Sequence, residues 1–240
     1  MPSPRTTDTY SFPGQWLAGT SLILGPALLL TAVLLRVRFH FFFPQQLAAY
    51  DQHPTLMTIS YSAFAAGSVI MCPAVAALAR LIGATRPDWA ALGGTLAMIG
   101  LFARTFHAGI DHLAFQLVDV QNRQTATRAV ADSYQGFHLF HYVSFAILLG
   151  WIVLAIGAYR SKTLGLPRSL ALAFMAALPL GVLKGTTPLS ILATAGPCAA
   201  LMPLGLKALS NAPRPTRRSL SRFAALTTLV IVLGYVSTLG

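Results

Sequence analysis

Long apolar stretches, separated by short polar segments, make up most of the chain. Each stretch is close to the roughly 20 residues that one helix needs to cross a bilayer. The pattern therefore predicts an all-α polytopic membrane protein in which residues 1–240 form a single seven-helix transmembrane bundle. The predicted spans are residues 16–35, 55–79, 89–109, 136–159, 169–186, 189–209 and 223–239.

The composition supports residence in lipid. Of the 240 residues, 55% are hydrophobic and 10% are charged, whereas soluble domains carry about 25% charged residues. In a membrane protein the net charge of +11 is first a signal of orientation, so no nucleic-acid partner is expected. Around the predicted spans, eleven Lys and Arg lie on the amino-terminal side and five, including Arg36, lie on the opposite side. By the positive-inside rule, the amino terminus is predicted to be cytoplasmic.

Ionisable residues are concentrated at one end of two neighbouring spans. Arg104, His107 and Asp111 of the third span are spaced three and four residues apart, which places them on one helical face. At the start of the fourth span lie Gln135, directly before it, and His138, His141 and Tyr142 within it. Because the two spans are antiparallel neighbours, both sets fall at the same level. Ionisable groups are expensive within lipid, so the sequence predicts one functional polar pocket at this end.

An acid, basic groups and aromatic rings at the mouth of an apolar bundle suit acid-initiated chemistry on a hydrophobic substrate. Such chemistry needs a proton donor, ring faces that stabilise a carbocation, and a base that ends the reaction. Asp111, with His107, is the predicted general acid. His141 or Tyr142 is the predicted base, and Arg104 completes the catalytic set. The residues expected to contact substrate are His112, His138, Gln135, Phe106, Phe137, Tyr61 and Lys184.

Three other functions would use the same residues. Imidazole and carboxylate groups bind zinc, and His107 and Asp111 with a histidine of the fourth span could supply them. The last predicted span carries no His and no acid to complete such a centre. His107 facing His138 or His141 could also ligate a haem. A proton relay along these groups would serve a transporter of a small hydrophobic molecule.

The length, the short helices and the polar cluster around Asp111 resemble the small integral-membrane terpene cyclases of meroterpenoid and indolosesquiterpenoid biosynthesis. The resemblance implies ring closure of a prenyl-type substrate after protonation of an alkene or epoxide, with no metal or other cofactor. It implies a hydrophobic small molecule and the lipid bilayer as partners. It is a resemblance of architecture, so the residue roles above come from the residues alone. The Ala- and Arg-rich composition without Glu is similar to that of high-GC actinobacterial proteins, which implies a bacterial inner membrane.

Overall fold

The structure is a computed structural model that describes residues 12–135, 139–178 and 187–237. Within these ranges every regular element is a helix, which confirms the all-α prediction. The elements are α1 (Gln15–Leu35), α2 (Phe43–Gln52), α3 (Pro54–Gly83), α4 (Pro87–Val120), α5 (Arg123–Gln135), α6 (Leu139–Val143), α7 (Phe145–Arg160), α8 (Leu166–Ala173) with a 3₁₀ turn (Phe174–Ala177), α9 (Pro188–Ser210) and α10 (Arg217–Val236).

Four of these helices, α1, α3, α4 and α9, are long and apolar enough to cross a membrane. Three further apolar helices, Phe145–Arg160, Leu166–Ala177 and Leu220–Val236, are shorter. The first, second and sixth predicted spans agree with α1, α3 and α9 to within four residues at each end. The chain is therefore a helical protein with the lengths and composition of a membrane protein.

The other four predicted spans differ from the observed helices or extend beyond the described residues. The seventh, predicted to begin at residue 223, lies largely in α10, which begins at Arg217, and the fifth, predicted over 169–186, extends past residue 178, where the described segment ends. The third was predicted to end at residue 109, whereas α4 continues to Val120. At a rise of 1.5 Å per residue, the 34 residues of α4 extend over about 51 Å, well beyond a hydrocarbon layer of about 30 Å. In the fourth span, Ser144 separates α6 from α7, so the long apolar helix begins only at Phe145.

The chain separates into two compact units, Met1–Ser210 and Asn211–Gly240. In the first unit, α1 packs against α3 and α9, α3 packs against α4, and α4 packs against α7. Apolar side chains from these helices form the main core, with Trp151 as its largest fully buried member. The second unit contains α10, whose large apolar side chains are exposed.

Helices α4 and α7 pack with their backbones almost in contact. A Cβ atom added to Gly150 of α7 would lie 2.5 Å from the backbone nitrogen of Ala97. One added to Gly100 of α4 would lie 2.8 Å from the Cα of Ile147. Lipid tails are as apolar as the helix surfaces, so association within a bilayer depends on such close van der Waals packing. This contact sets the depth of α4 relative to the start of α7.

Two long segments that lie largely between predicted spans, residues 36–54 and 118–133, are largely helical. They contain α2 and α5, which together form a cap on the ends of α3 and α4. The cap has its own buried apolar cluster, separate from the main core. Its buried members are Phe43, Leu47, Ala49, Tyr50, Met57, Tyr61, Ala114, Phe115, Ala126 and Val130. The extra length of α4 is therefore used to bind the cap.

The Gly150 contact predicts a position-specific effect of adding one methyl group. Gly150→Ala should lower the free energy of unfolding by about 1–3 kcal/mol, because the new Cβ must displace the backbone of α4. Gly109→Ala is the matched control, since a Cβ there meets nothing within 4 Å; it should be neutral or stabilising by up to about 1 kcal/mol. Thermal unfolding in detergent measures both, and equal tolerance of the two variants would contradict the close packing.

Candidate functional site

The polar residues of α4 lie on its buried face. The exposed fractions of Arg104, His107 and Asp111 are 5%, 8% and 6%. The three side chains are buried in the first unit, in the half of α4 that carries the cap. A buried carboxylate, imidazole and guanidinium within about two helical turns form a concentrated set of groups that can transfer protons or hold charge.

His107 joins three helices through its ring. Its Nδ1 lies 2.9 Å from the hydroxyl of Tyr134 on α5, and its Nε2 lies 3.3 Å from Oγ of Ser144, between α6 and α7. The Ser144 hydroxyl donates to the carbonyl oxygen of Phe140, so the Ser144 oxygen is available to accept a hydrogen bond from Nε2–H of His107. A neutral imidazole has one donor and one acceptor. These bonds are satisfied together when Tyr134 donates to Nδ1 and Nε2–H donates to Ser144.

Tyr134 is held in the protonated form that this arrangement requires. Burial raises the pKa of its hydroxyl above the ordinary value, and the negative charge of Asp111 raises it further. The rings of Tyr134 and His107 are nearly parallel, at 21°, with centroids 5.4 Å apart. The cap therefore supplies a phenol that remains a hydrogen-bond donor to His107.

Asp111 is the one buried acid in the parts of the chain that the structure describes. The chain has six acidic residues, all Asp. Asp51, Asp88, Asp119 and Asp132 are exposed, and Asp8 lies outside the described residues. Of these acids, Asp111 is the one placed to act in a site screened from water.

Arg36 is a member of the site that sequence reasoning missed. It directly follows the apolar run of α1, and its position in the sequence indicates only a charge at a membrane boundary. Its side chain is only 4% exposed, and Nη1 donates to Oγ of Ser60 at 3.2 Å. Burial lowers the pKa of Arg36, while Tyr61 and Asp111 favour its charged form. Arg36 and Asp111 therefore interact electrostatically within the site.

Both buried guanidinium groups lie near the same aromatic ring. The Cζ of Arg36 is 5.3 Å from the ring centroid of Phe64, and the Cζ of Arg104 is 5.9 Å from it. Arg36 also lies over Tyr61, at 4.6 Å. Arg104 donates from Nη2 to the carbonyl oxygen of Leu178 at 3.2 Å. Cations over aromatic faces gain electrostatic stabilisation, and the gain is larger where water is excluded.

Aromatic contacts connect this site to the cap. The ring of Tyr50 of α2 stacks on the ring of Phe115 of α4, with centroids 4.2 Å apart. The ring of Tyr61 packs edge to face against Phe115, with centroids 4.9 Å apart. The hydroxyl of Tyr61 donates to Oε1 of Gln46 at 3.3 Å. Gln46 in turn donates to the carbonyl oxygen of His40. The cap is thus held to the bundle by rings and by a buried amide.

Tyr50 also binds the end of α4 through its hydroxyl. It donates to Oδ2 of Asp119 at 2.6 Å. Burial and this hydrogen bond raise the pKa of Tyr50 to about 12. The tyrosine is therefore a neutral donor at physiological pH, and it fixes α2 to the segment of α4 that extends beyond its predicted span.

The other predicted site residues have different surroundings. Phe106 stacks on Phe140 with centroids 4.0 Å apart. His112 is half-buried, with Nε2 3.1 Å from Oγ of Ser62. Gln135 ends α5 and is exposed, and Tyr142 of α6 is 57% exposed. The tyrosine hydroxyl that bonds to His107 belongs to Tyr134.

Three predicted residues, Phe137, His138 and Lys184, lie outside the described residues, as does the side chain of His141. The zinc and haem interpretations both depended on one of these histidines. Within the described ranges, no three side chains of His, Cys, Asp or Glu are close enough to hold a metal ion. Comparisons with models of known protein families, with curated proteins and with solved structures find no match to this chain.

The contact between Tyr50 and Asp119 predicts a measurable loss on deletion of one hydroxyl. Tyr50→Phe should lower the free energy of unfolding by about 1 kcal/mol. Because burial and the hydrogen bond raise the pKa of Tyr50 in the folded protein, its contribution is fully present below the ordinary pKa of tyrosine and is lost as the pH rises to about 12. Tyr159→Phe, at a 50% exposed tyrosine, is the control and should have little effect at any pH.

Proposed function

We propose that the protein is a membrane-embedded cyclase that protonates an alkene or epoxide of a hydrophobic, prenyl-type substrate and closes rings through a carbocation. The observation that carries the proposal is the pair of Asp111 and His107, buried one turn apart on α4 with His107 in a hydrogen-bonded chain from Tyr134 to Ser144. Such a set provides an acid and a route for returning the proton, in a place from which water is largely excluded.

The proposed reaction begins and ends with the same protonation states. Asp111 donates its proton to the substrate, and the resulting carbocation closes one or more rings. The Tyr134 oxygen then accepts a proton from the final carbocation as the phenolic proton passes to Nδ1 of His107. Return of this proton from His107 to Asp111 restores the enzyme. No atom is gained or lost overall, so the product is an isomer of the substrate.

Aromatic side chains around the site suit a cationic intermediate. Tyr61 and Phe115 meet edge to face near Arg36, and Phe106 stacks on Phe140 beside His107. The negative face of an aromatic ring stabilises a nearby positive charge, and the effect grows as the site is desolvated. In the proposed reaction a hydrophobic substrate would enter from the bilayer, because α3 and α4 have the length and composition of membrane helices.

Proton-coupled transport is the competing function, and the distribution of buried groups favours the enzyme. The buried cationic, imidazole and carboxylate side chains among the described residues are Arg36, Arg104, His107 and Asp111, all in the half of the bundle that carries the cap. The other buried polar side chains among the described residues are neutral: Gln46 and the hydroxyls of Ser21, Ser60, Ser68, Ser169, Ser190 and Thr194. A transport path for protons would need titratable groups along the whole depth of the bilayer.

We also propose seven membrane crossings with a cytoplasmic amino terminus, in the inner membrane of a bacterium. Four long and three shorter apolar helices supply seven candidates for the crossings. The excess of Lys and Arg on the amino-terminal side supports the orientation. In this arrangement the cap and the site lie at the outer face of the membrane, and the turn at residues 84–86 lies at the cytoplasmic face.

The proposed acid predicts the effect of an isosteric substitution. Asp111→Asn keeps size and polarity but removes the transferable proton, so it should abolish cyclisation while the protein remains folded. His107→Ala should reduce the rate by about 10²–10⁴-fold, the usual contribution of a general acid or base. Asp88→Asn, at an exposed acid of the same helix, is the control and should retain activity.

The assay uses membranes that contain the protein, incubated with prenylated indoles or quinols and their epoxides. Products of unchanged mass are separated by chromatography and identified by mass spectrometry. Full activity of Asp111→Asn would remove Asp111 from the mechanism. Turnover that requires an added metal or a haem would transfer the function to one of the rival classes.

The orientation predicts which end of α4 reacts with an impermeant thiol reagent in whole cells. With Cys72 and Cys198 replaced by alanine, Gln121→Cys should be labelled in intact cells. Ala84→Cys at the other end of α4 should be labelled only after lysis. Both native residues are exposed, so access to the reagent depends on the membrane alone. The opposite pattern of labelling would reverse the orientation.

A further inference from the structure

We infer that Arg36 and Arg104 bind the anionic head group, a phosphate or carboxylate, of an amphipathic ligand. This binding site goes beyond the proposed reaction, because it depends on the two guanidinium groups and not on proton transfer. The binding site lies beside Phe64 of α3. The guanidinium groups of Arg36, at the end of α1, and of Arg104, within α4, both lie near the ring of Phe64. The inference rests on unsatisfied hydrogen-bond donors, on an excess of buried positive charge and on the setting of the site within lipid.

Each of the two arginines has a buried donor without a partner. The exposed fractions of Arg36 and Arg104 are 4% and 5%, and the Nε of each has no hydrogen-bond acceptor. Each side chain makes a single described hydrogen bond, to Ser60 Oγ and to Leu178 O respectively. A guanidinium has five N–H donors. A buried donor that bonds to nothing is destabilising, and the oxygens of a phosphate or carboxylate would satisfy several donors at once.

The balance of charges in the site also favours a bound anion. Two guanidinium groups are buried, but Asp111 is the one buried carboxylate in the described part of the chain. The segments 136–138 and 179–186 contain no acidic residue, so the sequence holds no second carboxylate there. Protonation of His107 would only add positive charge. A buried charge is normally paired, and a bound anion would pair the second arginine.

The position of the site indicates that the anion is attached to a hydrophobic group. Phe64 lies within α3, and Arg104 lies within α4, both of which are membrane helices by length and composition. Large apolar side chains of these helices, such as Ile59 and Phe102, are exposed and would face lipid. A ligand that inserts its chain among the helices would bring its head group to the two arginines.

The test compares binding of dodecyl phosphate, dodecanoate and dodecanol to the full-length protein in a nonionic detergent, by isothermal titration calorimetry. The two anionic compounds should bind at least about tenfold more tightly than the neutral alcohol, since hydrogen bonds to charged groups are the strong ones. Arg36→Gln and Arg104→Gln should each remove about tenfold of this preference and leave the binding of dodecanol unchanged. A role of the arginines in structure alone would not alter one class of ligand selectively.

The chain offers a matched control for these substitutions. Arg160 lies over the ring of Trp89, at 5.3 Å, but is exposed and lies at the opposite end of α4 and α7. Arg160→Gln should therefore leave the preference for anions intact. If a glutamine variant fails to fold, Arg104→Lys keeps the charge but loses the planar fork, and it should weaken binding of the phosphate more than that of the alcohol.

Two further measurements complete the test. One identifies the source of the anion, and the other separates anion binding from the proposed reaction. In bilayer discs of phosphatidylcholine, displacement of dodecyl phosphate by added phosphatidylglycerol would assign the site to a lipid head group, and retention would assign it to a free amphiphile. Asp111→Asn should still bind dodecyl phosphate even where cyclisation is lost, so a failed reaction leaves this inference intact. Equal binding of the alcohol and the two anions, or an unchanged preference in both glutamine variants, would overturn it.

Discussion

The site depends on the burial of one carboxylate beside cationic groups in a chain that has very few acids. The side chain of Asp111 is buried, and its negative charge favours the charged form of Arg36. In an apolar medium neither charge is stable alone, because desolvation of an ion is costly unless a partner or a proton neutralises it. Helices α1 and α4 must therefore keep Arg36 and Asp111 at the same depth.

Two kinds of contact maintain that depth. The glycine contacts between α4 and α7 fix these helices with little freedom to slide, because each backbone enters the surface of the other. The cap fixes the other end of α4 through the Tyr50 hydroxyl and the stack on Phe115. His107 joins both systems, since it bonds to Tyr134 of the cap and to Ser144 at the start of α7. The proposed proton transfer needs rigid placement of this kind.

The sequence predicts the helices of this protein better than the partners of its site residues. Apolar runs are a direct consequence of residence in lipid, so α1, α3 and α9 could be located closely. The spacing of Arg104, His107 and Asp111 indicated one helical face, and all three are buried. The cap was not foreseen, because α2 and α5 are short and become stable by packing against α4. Arg36, Tyr134 and Ser144 were not assigned to the site, because their roles arise from contacts between distant parts of the chain.

The two proposed properties of the site are physically linked. The charge of Asp111 favours the charged form of Arg36, whereas the proposed reaction requires Asp111 in its neutral, protonated form. An anion bound to Arg36 would offset part of its positive charge and so weaken its attraction for the Asp111 carboxylate. The same anion would be bound less tightly when Asp111 is ionised, because like charges repel across a short distance in a medium of low dielectric constant. Binding of the anionic ligand and protonation of Asp111 therefore favour each other, as linkage between two sites requires.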